Sequence, residues 1–133
     1  MSALLNKSND NYTAMQLLSE KKLYASATHC AYYRCLQFMK HILLNGISAT
    51  VANDYLILAA QKKMGSHFLI INQIKMKINR VSYRDFSNLI YQLKELREEA
   101  EYDDTVCIVD SYNKAKSKSD KIMEDLKLNF VKK

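Results

Sequence analysis

The chain contains no proline, and its 133 residues include only two glycines, Gly46 and Gly65. Proline presets turns and glycine supplies the left-handed backbone that tight hairpins need. A β-rich domain of this length would turn about every ten residues and would need many more of both. Long helices with few connections satisfy the scarcity. With 48% apolar residues the chain has enough material for one buried core, so residues 1–133 are expected to form a single all-α domain.

Periodicity divides the chain into four main helices. The first covers roughly 2–18, with Leu4, Leu5, Ser8, Tyr12, Met15 and Leu18 on one stripe. The second, roughly 21–45, carries two apolar stripes. One is Tyr24, Ala27, Ala31, Cys35, Phe38 and Ile42; the other is Tyr32, Leu36, Met39 and Leu43. A helix apolar on two sides is packed from two sides, so this is the expected centre of an up-and-down antiparallel bundle of four to five helices. Its remaining face presents Ser26, His29, Tyr33, Gln37 and Lys40, and Asn45-Gly46 marks its end. The third long helix covers roughly 83–102 behind Ser82 as cap, with Phe86, Leu89, Leu93, Leu96 and Ala100 inward. The last covers roughly 105–130 along Ile108, Tyr112, Ala115, Ser119, Ile122, Leu126 and Phe130, with Asp103 or Asp104 between the two. Residues 46–65 read as a variable loop or short helix, and Ser66 as the cap of a further helical piece or short strand.

Several chemistries find no support in the residues. No apolar run approaches the roughly 20 residues of a membrane span, and no basic start precedes an apolar core as in a secretory signal. A cytoplasmic setting, with Cys30, Cys35 and Cys107 as reduced thiols, is expected. Cys30 and Cys35 lie five residues apart, about 140° around a helix, and cannot share a metal from one helix. His29, His41 and His67 have no metal-binding spacing. No metal, no cofactor and no catalytic residue is therefore assigned. Two glycines cannot build a phosphate loop, and no nucleophile motif is present.

The charge is polarised along the chain. Residues 55–84 hold Lys62, Lys63, Lys75, Lys77, Arg80 and Arg84 and no acid. Residues 94–104 hold six acids against Lys94 and Arg97. Within that stretch, "ELREEAEYDD", an arginine precedes five carboxylates and a tyrosine. Arg97 and Glu101 stand one helical turn apart and can form an ordinary intrahelical pair. Polarised faces also suit a charged partner, and the basic segment from Lys75 to Arg84 can guide an anionic one or lie solvated.

Four segments in order resemble the HEPN family (higher eukaryotes and prokaryotes nucleotide-binding). "YASATHCAYYRCLQFMKHILL" is similar to its tyrosine-rich second helix and "GSHFLIINQI" to its Ser-His segment. "LREEAEYDD" looks like its Arg-x-x-Ala-Asp-Tyr motif, with Glu101 in place of the aspartate, and "SYNKAKSKSDKIMEDLKL" like its final amphipathic helix. The resemblance spans nearly the whole chain and implies a HEPN-type bundle acting as a homodimer. Many members are metal-independent endoribonucleases whose arginine precedes a histidine by four to six residues. Here the window after Arg97 holds Glu101, Tyr102, Asp103 and Asp104, so that activity is expected to be absent or poor. The resemblance then implies a non-catalytic or accessory module of a prokaryotic toxin–antitoxin or defence-like pair, binding a nucleotide or RNA, or a nucleotidyltransferase-like partner. The residues implied for a ligand are Arg97 for phosphate, Tyr102 and Tyr33 for a base, and His29, with His67 as a weaker addition. An endoribonuclease with an unconventional histidine, and a structural dimerisation domain without ligand, are the alternatives.

Overall fold

A computed structural model describes residues 2–102 and 108–131. The described residues form six α-helices and no strand: α1 Ala3–Glu20, α2 Tyr24–His41, α3 Ala49–Gln61, α4 Ser66–Lys77, α5 Arg80–Tyr102 and α6 Val109–Phe130. A π-helical turn, Ile42–Gly46, extends α2. The all-helical class follows the scarcity of turn residues. The expected four to five helices fall short, because the stretch 46–65, read as a variable loop or short helix, holds the full 13-residue α3, and the next piece is the helix α4 rather than a strand. The stretch that was to hold Asp103, Asp104 and Cys107 lies outside the described residues.

Local chemistry sets the helix ends. The Ser2 hydroxyl accepts from the Leu5 amide at 3.1 Å and caps α1. Lys22, at φ 61°, turns the chain from α1 into α2, a role glycine usually fills. Ser48 caps α3 by accepting from the Val51 amide at 3.1 Å, and Lys62 closes that helix at φ 53°. Two expected caps fall elsewhere. Ser66 is already the first residue of α4, whose cap position is Gly65. Ser82 lies inside α5; the cap is Asn79, whose Oδ1 accepts from the Ser82 amide at 2.9 Å. Asn129 of α6 binds this corner twice. Its Oδ1 accepts from the Asn79 amide at 3.1 Å and its Nδ2 donates to the Ser82 hydroxyl at 3.2 Å.

As its two apolar stripes require, α2 is central and packs against α1, α4, α5 and α6. The main core gathers Tyr32, Met39, Leu43, Ile74, Phe86, Leu93 and Ile122, all essentially inaccessible to solvent. A smaller core around Met15, Ala27, Ala31 and Tyr112 holds α1 to α2 and α6. Cys30 and Cys35 are buried free thiols, and burial pushes Cys35 up to about 11. The inward line of α5 is rotated from the expected stripe: Phe86, Ile90, Leu93 and Arg97 are buried, while Leu89, Leu96 and Ala100 are half-buried. Arg97 thus stands in the core line of α5. Of the lysines on α6, Lys116 is tied by Asp120 at 2.9 Å. Among the described residues no helix is long and apolar enough to cross a membrane.

Candidate functional site around Arg97

An arginine in a core line must satisfy its charge and its five N–H groups inside the protein. Arg97, 7% exposed, pairs its charge with carboxylates of its own helix and lays its guanidinium on an aromatic face of α2. Its Nη1 donates to Glu101 Oε2 at 3.1 Å, and its Nη2 lies 3.8 Å from Glu98 Oε1. The guanidinium lies over the Tyr32 ring at 4.7 Å, with the Tyr33 and Tyr102 rings at 5.9 and 6.0 Å. Its Nε is buried and has no hydrogen-bond partner among the described residues. The arginine therefore keeps an unused donor in a pocket of aromatic faces.

Tyr32 and Tyr33 are neighbours on α2, so their side chains leave the helix about 100° apart. Tyr32 points into the core and Tyr33 toward the surface, with the rings edge-to-face at 5.3 Å. His67, in the first turn of α4, closes the arrangement. Its Nδ1 meets the Tyr32 hydroxyl at 3.2 Å and its Nε2 meets the Tyr33 hydroxyl at 3.4 Å. A neutral imidazole donates through one nitrogen and accepts through the other, so one tyrosine receives a proton contact and the other gives one. Burial lowers the His67 pKa below its ordinary 6.5, and the nearby Arg97 and Lys94 charges lower it further against the opposing pull of Glu101. His67 is therefore neutral at pH 7. Burial also drives the Tyr32 hydroxyl up to about 12, which keeps it protonated.

His29 stacks on Tyr33, with centroids 4.4 Å apart. Its Nδ1 is hydrogen-bonded to Glu101 Oε1, so one carboxylate bridges the imidazole of α2 and the guanidinium of α5. Tyr102 is 74% exposed at the rim. A surface hollow lined by Leu18, Ser26, His29, Cys30 and Glu101 adjoins the bridge.

All five residues singled out from sequence, Arg97, Tyr102, Tyr33, His29 and His67, surround one point of the structure. The absence of a histidine from the α5 segment does not leave the site poor in histidine, because α2 and α4 each supply one. Sequence reasoning missed Tyr32, counted as a core residue of its stripe, and the bridging role of Glu101. Its adjacency to Tyr33 was the available signal for Tyr32; nothing local signalled a bridge to a histidine 72 positions away. Among the described residues no group of three or more His, Cys, Asp or Glu side chains could hold a metal ion. The cluster can neutralise an anion through the arginine, offer aromatic faces, and donate or accept through His67 and the tyrosine hydroxyls. Comparison with protein-family models, with curated proteins and with solved structures returned no match.

Proposed function

We propose that the chain is a non-catalytic or accessory HEPN-like module that binds a nucleotide or a nucleotidyltransferase-like partner. Its setting is the cytoplasm, in a prokaryotic toxin–antitoxin or defence-like pair, and its working form is a homodimer of up-and-down bundles. The observation that carries the reading is Arg97: a buried guanidinium on the Tyr32 face with a free Nε donor, ringed by Tyr33, Tyr102, His29 and His67. A phosphate approaching it trades places with the Glu101 carboxylate, which swings toward His29. The aromatic rings then supply stacking and the hydroxyls supply hydrogen bonds.

Titration calorimetry with AMP and ATP tests the reading. Binding at or below about millimolar concentration is expected, with a matching rise in melting temperature by mass action. Arg97→Lys keeps the charge that Glu101 needs but loses the planar fork and the stacking, so affinity should fall by about tenfold while the fold persists. No response to any nucleotide would end the ligand half of the proposal and leave the protein partner.

A second reading, a metal-independent endoribonuclease, draws on one observation. His67 binds the hydroxyls of Tyr32 and Tyr33, the two rings nearest the Arg97 guanidinium, and burial lowers its pKa, as suits a general base next to a phosphate-stabilising group. Labelled single-stranded RNA incubated with the protein in EDTA separates the two. Cleavage abolished by His67→Gln would establish the nuclease and sink the non-catalytic reading.

A further inference from the structure

A groove between α4 and α5 begins where the Arg97 cluster ends. On α5, Ser87, Ile90, Tyr91 and Lys94 recur at i, i+3, i+4 and i+7, one continuous face that runs on to Arg97 three residues later, about 4.5 Å along the axis. On α4 the groove starts at Phe68, next to His67, and continues through Ile71, Asn72 and Lys75. It encloses about 160 Å³, a volume that suits one flat ring system, and its walls are mainly apolar. Phe68 and Tyr91 are 57% and 65% exposed and present ring surface to solvent at the groove. Among the described residues the buried Ser87 hydroxyl has no hydrogen-bond partner, and the Asn72 amide makes a long contact, 3.9 Å, to the Met76 sulfur.

We propose that this groove is the nucleobase seat of the site, so that the ligand lies along α4 and α5 from Arg97 toward Lys75. The inference rests on the nucleotide-binding reading and fixes the direction in which the ligand extends. Charge decides that direction. On the far side of Arg97, Tyr102 stands among Glu95, Glu98 and Glu99, three carboxylates that repel a phosphate-bearing ligand. On the groove side Lys94 and Lys75 attract it, the charge of Lys94 being partly offset by Glu98 at 4.0 Å, and Lys94 is close enough to the cluster to act on His67. The base fills the apolar hollow against Phe68 and Tyr91. Its edge meets the Asn72 amide and the Ser87 hydroxyl, which between them donate and accept. The phosphate reaches back across Lys94 to Arg97.

The test compares AMP with ribose 5-phosphate on the full chain by calorimetry. AMP should bind about tenfold tighter or better, because the base adds stacking that the sugar phosphate lacks. Phe68→Ala empties one wall and Ser87→Phe fills the hollow. Each should bring AMP down to the ribose 5-phosphate level, with unchanged circular dichroism confirming that the variants fold. AMP and ribose 5-phosphate binding alike would overturn the groove. So would AMP affinity kept in both groove variants but lost in Tyr102→Ala, which would put the base over Tyr102 and leave the Arg97 site intact. If neither ligand binds wild-type protein, the site reading fails first and the groove with it.

Discussion

Glu101 determines how available Arg97 is to an incoming anion. Its two carboxylate oxygens are divided between His29 and Arg97, so the arginine already holds an internal stand-in for phosphate. Glu101→Gln keeps the shape of the bridge and removes its charge. The buried Arg97 is left with a neutral acceptor in place of its carboxylate, so the melting temperature should fall by more than the loss of an exposed i,i+4 pair, about 0.3–0.5 kcal/mol, would give. AMP affinity should rise by about threefold to tenfold in the same variant, because the ligand no longer displaces a carboxylate from the guanidinium. A fall in affinity on calorimetry would show instead that Glu101 itself contacts the ligand. At this scale the sequence made half of the site legible. The Arg97–Glu101 pair follows from helical spacing alone. The joining of His67 to Tyr32 and Tyr33 depends on how α4 docks on α2, which no periodicity of either segment encodes.

Between elements, the α2–α6 contact shows why a polar residue can occupy a core stripe. Ser119 is fully buried in the middle of the α6 apolar line. Its hydroxyl donates to the Ala31 carbonyl at 2.8 Å and lies 3.3 Å from the Cys35 sulfur. Beside it, Arg34 lies over the Tyr12 ring at 4.4 Å and pairs with Asp120 at 2.6 Å, so α1, α2 and α6 meet through one side chain. Ser119→Ala loses the hydroxyl's bond to Ala31 and its longer contacts to Cys35 and Arg34, and should cost at least about 1 kcal/mol in urea unfolding. Ser119→Leu must push the two helices apart and should cost about 1–3 kcal/mol. Equal stability of wild type and Ser119→Leu would mean that the helices are not closely packed there. Both stripes, on α2 and α6, were readable because amphipathic periodicity survives an occasional serine. The span of α3 was less so. Residues 49–61 bury only Tyr55, so the helix leaves a faint pattern and its ends are set by Ser48 and by Lys62 in a left-handed turn. The α5 start was misplaced for a similar reason: Asn79 and Ser82 both suit a cap, and the contact with Asn129, 50 positions away, favours Asn79.

Across the whole molecule, burial is spread unevenly, and that sets an order of opening. The centre is α2, with nine buried residues between Ala27 and Met39 and packing against four other helices. At the other extreme, α3 is 13 residues long, a length at which an isolated helix is marginal in water. It leaves Leu56 and Ile57 each 53% exposed, and rests on the π-turn and α4 through Tyr55 with Val51, Leu58 and Ala59 half-buried. Local opening free energies span from near zero to the global value, and helices with few buried contacts lie at the low end. Hydrogen exchange should therefore show α3 amides opening at least about 2 kcal/mol below the slowest amides of α2, which report global unfolding. Tyr55→Ala removes the one buried side chain of α3. It should bring α3 exchange close to that of an unfolded segment while the α2 amides lose far less protection. The opposite pattern, α2 and α3 amides losing protection equally in Tyr55→Ala, would mean that α3 is part of the global folding unit and that the core extends beneath it. The site itself belongs to the stable side of this division. Arg97, Tyr32 and Tyr33 stand on α5 and α2, so ligand binding should leave α3 exchange unchanged and slow exchange in α4, where His67 and the groove residues sit.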